Sequence, residues 1–211
     1  MSEPAPFLAL GDSYTIGEGV TPSERWPVRL ARALTAVGTP VAEPRIVART
    51  GWTVAEMLVA MEREGVWPDG SRHALVTLLI GVNDQYRGLD PSVTLADHDR
   101  ALARAVTLAG DDPARVVAIS IPDWGATPYA AGRDRARIAR ELDALNAAQH
   151  ERVRALGAHW VDVTAHSRRH GGDPAYLAED LLHPGGRAYA EWADALLPTA
   201  RAALAGRSGG I

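Results

Sequence analysis

The sequence predicts a three-layer α/β/α domain built on a five-stranded, parallel, flavodoxin-like sheet. Three observations carry that expectation. Short apolar runs alternate five times with longer amphipathic stretches. Several of the runs are apolar throughout, as strands covered on both faces are. The 211 residues contain no internal repeat and no Pro-, Gly- or Ser-rich linker, so residues 1–211 read as a single domain.

The elements follow in order. Phe7-Leu8-Ala9-Leu10 is a buried strand closed by Gly11. Residues 23–37 have a helical period, with Trp26, Leu30, Ala33, Leu34 and Val37 on one side and Arg25, Arg29 and Arg32 on the other. Arg45-Ile46-Val47-Ala48 is the second strand; residues 54–64 form the next helix, with Thr53 placed to cap it. Residues 74–80 are the third and most apolar strand. A helix over 95–109 leads to a fourth strand over 115–121. Residues 133–156 form a long arginine-rich helix with Ile138, Leu142, Leu145, Ala148 and Val153 in one stripe. His159-Trp160-Val161-Asp162-Val163 is the fifth strand, and residues 184–204 the last helix, its proline suited to a first turn. Residues 206–211 are expected to fray.

Composition removes whole classes of chemistry. There is no cysteine, hence no disulfide, thiolate nucleophile, iron–sulfur cluster or cysteine zinc site. All 22 cationic residues are arginine, so neither a Schiff-base lysine nor a Walker lysine exists. A net charge of -4 provides no basic footprint for nucleic acid. No apolar stretch approaches the roughly 18 residues that span a bilayer, and residues 1–6 have no basic leader segment; a cytoplasmic location is expected. A nucleophile here must be a hydroxyl or a carboxylate.

In a doubly wound sheet the loops leaving the C-terminal strand ends share one edge, where ligands bind. The first strand runs into Gly11-Asp12-Ser13-Tyr14, a turn or helix cap that also presents a hydroxyl. The second leads to Arg49-Thr50-Gly51-Trp52, where the glycine is a turn residue or lets a backbone N–H reach an anionic oxygen. The third ends in Gly81-Val82-Asn83-Asp84; Asn83 is a turn residue or an amide donor to developing charge. Asp180-Leu181-Leu182-His183-Pro184 sets a carboxylate three residues before an imidazole, either at a polar helix start or as an oriented base.

Taken together, these blocks resemble the SGNH or GDSL-type esterases and lipases, serine acyl hydrolases whose four ordered motifs all find counterparts here. The resemblance implies Ser13 as nucleophile, His183 as general base and then acid, and Asp180 as its orienting partner. It further implies an oxyanion hole from the Ser13 and Gly51 backbone N–H groups and the Asn83 amide. The serine block is not the Gly-x-Ser-x-Gly elbow of α/β-hydrolases. The reaction expected is hydrolysis of short-chain or acetyl carboxylic esters through an acyl-serine, declining as pH falls through roughly 6 to 7 because the base must be neutral. Acyl or acetyl transfer on the same scaffold is an alternative. A non-catalytic flavodoxin-like binder is another, although Asp12 and Glu18 would repel a phosphate in the first loop.

Tyr14, Trp52, Tyr86 and Trp124 fall on loops of the same edge and are candidates to line a substrate pocket, whereas Trp26, Trp160 and Trp192 read as core. Arg133, Arg135, Arg137 and Arg140 read as a solvated helix face. His166 and His170 have helical metal-gripping spacing, but no third ligand stands at a convincing position, so no metal and no cofactor are expected. The expected partner is a small-molecule ester; no nucleic acid, membrane span or protein partner is foreseen.

Overall fold

A computed structural model describes residues 3–63 and 72–205. Its strands are β1 (Phe7–Gly11), β2 (Arg45–Ala48), β3 (Leu75–Leu79), β4 (Val116–Ile119) and β5 (His159–Val161). The helices are α1 (Ser13–Ile16), α2 (Trp26–Ala36), α3 (Val54–Arg63), α4 (Val82–Tyr86), α5 (Pro91–Leu108), α6 (Arg135–Leu156), α7 (Thr164–His170) and α8 (Gly186–Ala205). All five strands pair in parallel in the order β2-β1-β3-β4-β5, the doubly wound α/β/α arrangement expected.

The inner strands β1, β3 and β4 are buried at every position, which is why they are apolar on both faces. Side chains still alternate between two cores. Phe7 and Ala9 pack with Trp26, Leu30 and Leu34 of α2 and Trp192 and Leu196 of α8. Leu8 and Leu10 pack with Met57 and Met61 of α3 and Leu102 and Ala105 of α5. Leu30 is wholly buried, so truncation to alanine there would cost roughly 2–5 kcal/mol.

Several boundaries differ from the sequence expectation for local reasons. α5 begins at Pro91, before the apolar period starts at Leu95, because Asp90 accepts the Ser92 N–H at 2.8 Å and proline suits the first turn. α6 begins at Arg135, since Asp134 caps it by accepting the Arg137 N–H at 2.9 Å; Arg133 therefore lies outside the helix. α1, α4 and α7 are too short for a period to show in sequence. Thr53 caps α3 as expected: its hydroxyl accepts the Glu56 N–H while Glu56 accepts the Thr53 N–H. Glu64 and residues 206–211, to which a helix end and fraying were assigned, lie outside the described residues. Among the described residues no helix is long and apolar enough to cross a membrane.

The strand order reverses direction between β1 and β3, so the chain leaves their adjoining C-terminal ends toward opposite sides. Such a switch point opens a crevice. Gly11 and Leu79 are paired there, and Ser13 and Asn83 follow them by two and four residues.

Candidate active site

Ser13 opens α1, directly after the sharp exit from β1. Gly11 is required by close approach: a Cβ there would lie 2.4 Å from the Leu79 carbonyl oxygen and closer still to Thr15. Asp12 caps the short helix, its Oδ1 accepting the Tyr14 N–H at 3.0 Å. The Ser13 carbonyl accepts the N–H groups of Gly17 and Glu18, fixing the turn. Its hydroxyl has no hydrogen-bond partner among the described residues.

His183 and Asp180 meet as their spacing suggests. His183 Nδ1 lies 2.5 Å from Asp180 Oδ2, while Asp180 Oδ1 accepts the backbone N–H groups of Leu182 and His183, each at 2.9 Å. Burial opposes charge on Asp180, but these hydrogen bonds outweigh it and hold the carboxyl below the usual range. Leu181 pays for the loop: its φ of 56° is left-handed, a region that burdens a residue with a Cβ. The Tyr14 ring lies 5.5 Å from the His183 ring, so α1 and the 180–183 loop share one cleft. No hydrogen bond joins Ser13 to His183 among the described residues.

The Gly51 loop is held by α4. Asn83 Nδ2 donates to the Trp52 carbonyl at 2.9 Å, Asp84 Oδ2 accepts the Val54 N–H at 3.1 Å, and Arg87 donates to the Gly51 carbonyl. Arg87 also pairs with Glu56 at 3.0 Å, and the Thr50 hydroxyl donates to Glu18 beyond α1. Gly51 has a φ of 86°, so its backbone, rather than lack of space, demands glycine. Ser13, Gly51 and Asn83, the groups the resemblance names as oxyanion donors, therefore sit on segments tied to one another.

Two carboxyls next to Ser13 and Asn83 in the chain, Asp12 and Asp84, are buried. Burial is the main cause that pushes Asp12 up to about 8; the Tyr14 N–H opposes it and the charge of Asp84 adds to it. Asp12 Oδ2 has no hydrogen-bond partner among the described residues. Asp84 is likewise pushed up by burial, to about 6, against the Val54 N–H.

The four aromatic candidates divide. Tyr14 and Trp124 are buried and line a cavity of about 20 Å³, room for one water, together with Leu182 and Pro184 on either side of His183. Trp52 packs against the core layer of α3 and contributes its carbonyl to Asn83. Tyr86 is exposed, at the end of α4, edge-on to Trp124 at 5.2 Å. Trp26 and Trp192 are core, while Trp160 is half-buried and stacks on His150. Arg133, read from the sequence as part of a solvated helix face, instead lies over the rings of Tyr86, Trp124 and Tyr129 at 5.1, 5.4 and 6.0 Å.

His166 and His170 also acquire the third group that the sequence reading did not find. Glu191 of α8 completes a set of donor atoms within 4.8 Å of one another. The protonation pattern nevertheless disfavours a cation. Trp192 Nε1 donates to His166 Nδ1 at 3.1 Å, which leaves the ring proton on Nε2, aimed at Glu191 Oε2 at 2.9 Å. Trp192 is buried and cannot swing away, so a metal at Nε2 would set two N–H groups against each other. Tyr176 donates its hydroxyl to Glu191 and stacks on His170 at 4.0 Å, completing a hydrogen-bonded network.

Among curated proteins, none matches the sequence. Solved structures share the fold. TesA is 20% identical with a TM-score of 0.72, the match covering 94% of this chain and 99% of that one. The psychrotrophic esterase EstA from Pseudoalteromonas sp. is 15% identical, TM-score 0.70, covering 93% and 97%. The lipase/acylhydrolase from Enterococcus faecalis is 20% identical, TM-score 0.66, covering 93% and 96%. The model of the GDSL-like lipase/acylhydrolase family matches residues 9–191. Because that match runs from β1, ahead of Ser13, into α8, beyond His183, the protein belongs to this family of carboxylic ester hydrolases.

Proposed function

We propose that the protein hydrolyses small carboxylic esters through an acyl-serine intermediate, with Ser13 as nucleophile, His183 as base and Asp180 as the group that orients it. One observation carries the assignment: His183 Nδ1 is bound to Asp180 at 2.5 Å while the ring packs on Tyr14, the residue next to Ser13. The carboxylate fixes the proton on Nδ1 and leaves Nε2 free to accept the serine proton. Catalytic hydrogen bonds of this kind often close fully only around bound substrate.

In the reaction, Ser13 Oγ attacks the carbonyl carbon as His183 Nε2 takes its proton. The tetrahedral oxygen receives hydrogen bonds from the Ser13 and Gly51 N–H groups and from Asn83 Nδ2. His183 then passes its proton to the leaving alcohol, and water repeats the cycle to release the acid. Asn83 can serve because its amide carries two hydrogens and only one is committed to Trp52. Turnover of para-nitrophenyl esters of increasing chain length and of acetylated sugars, with Ser13→Ala as blank, tests the assignment. Loss of turnover in that variant supports it, and wild-type turnover without the hydroxyl overturns it.

A further inference from the structure

A groove of about 960 Å³ opens beside the candidate site, between α4, the start of α5 and the N-terminal half of α6. Both of its links to the catalytic groups are short. Tyr86 stands one turn after Asn83 on α4, and the Tyr129 N–H donates to the carbonyl of Leu181, between Asp180 and His183, at 3.3 Å. Tyr86 and Tyr129 share a hydrogen bond between hydroxyls at 3.1 Å, and Trp124 is anchored by its indole N–H on Gln85 at 2.8 Å. The three rings thus form a fixed wall joining the oxyanion side of the site to the histidine side.

The groove's charges are committed in every case but one. Arg87 is held by Glu56, and Arg137 by Glu141 at 2.6 Å. Asp90 and Asp134 cap α5 and α6, and Glu141 also accepts from Gln85. Asp180, an acid whose charge reaches Tyr129, is taken up by His183 and two backbone N–H groups. Arg133 alone among the groove's cations has no carboxylate partner among the described residues. Its guanidinium lies over the aromatic wall and donates one hydrogen bond, to Tyr86 Oη at 3.1 Å. A guanidinium resting on ring faces is pre-ordered while its in-plane N–H edge stays open to a planar anion.

Resting on the esterase reading above, we propose that Arg133 is a specificity residue that binds a carboxylate carried by the substrate, so that the preferred esters are anionic ones. The carboxylate lies in the groove, and the scissile carbonyl at Ser13. Either half of the ester can bring it, and two matched pairs distinguish them. On the acyl side, mono-para-nitrophenyl adipate is compared with para-nitrophenyl hexanoate. On the alcohol side, para-acetoxybenzoate is compared with para-acetoxytoluene. The readout is the anionic-to-neutral ratio of kcat/KM in wild type, Arg133→Gln, Arg133→Lys and Arg133→Glu.

In the pair that reaches the groove, the ratio falls about tenfold or more in Arg133→Gln, further in Arg133→Glu, and is partly restored in Arg133→Lys. In wild type it also falls as salt rises. A ratio unchanged by all three substitutions in both pairs overturns the proposal. Titration of the protein's tryptophan fluorescence with monomethyl adipate and with benzoate, in wild type and Arg133→Gln, separates this idea from the esterase reading. Arg133-dependent binding in a protein that cleaves no ester keeps the anion site and removes the hydrolase. Cleavage with no Arg133 dependence in either assay does the reverse.

Discussion

Asn83 and Trp52 are joined by one hydrogen bond of 2.9 Å, from side-chain amide to backbone carbonyl. The bond orients the amide and also holds the loop that carries Gly51, so two of the three proposed oxyanion donors share a support. Asn83→Ala is therefore expected to lower kcat on para-nitrophenyl acetate by about 10²–10³-fold. Asn83→Asp should be at least as damaging, since a carboxylate cannot donate to the Trp52 carbonyl. Steady-state kinetics beside a thermal melt checks both, and retained kcat in a folded Asn83→Ala protein would remove the amide from the site.

Ser13 and His183 are expected to act as one unit. Ser13→Ala and His183→Ala should each abolish measurable turnover, and the double variant should be no worse than either single one. Multiplicative losses in the double variant would show the two side chains working independently.

Leu181 tests the strain in the loop that carries Asp180 and His183. With φ at 56°, its Cβ costs roughly 1–2 kcal/mol, and its side chain is largely exposed. Leu181→Gly should leave the Asp180–His183 pair intact and match or exceed wild type in denaturant stability. Leu181→Val, whose branched side chain tolerates that region poorly, should lower both stability and kcat.

Asp12 gives stability a direction with pH. Its carboxyl is pushed up from 3.8 to about 8 by burial, so the folded protein keeps a proton that the unfolded chain has released over that interval. The stability it contributes is present below about pH 4 and declines as pH rises toward about 8. Asp12→Asn retains an acceptor for the Tyr14 N–H and cannot ionise. The melting temperature of Asp12→Asn minus that of wild type should rise steadily from pH 4 to pH 8; a constant difference would show that Asp12 is not held neutral.

The β-strands were legible because burial on both faces leaves an apolar run, and the Asp180–His183 contact because three residues of chain keep the pair within reach. Glu191 was not legible, since it lies 21 residues beyond His170 on another helix. Nor was the place of Arg133. Its arginine-rich neighbourhood reads as solvated helix until the Asp134 cap shows that the helix starts after it.

Residue order alone settled the layer architecture, the four loops that follow the strands and open the last helix, and the exclusion of thiol and amine chemistry, because those follow from local pattern and composition. Folding decided which loops touch: that α4 grips the Gly51 turn, that Tyr14 packs on His183, and that three rings from two segments receive one arginine. Such contacts join segments tens of residues apart, and their geometry comes from how helices pack on a twisted sheet, which no single stretch of chain encodes.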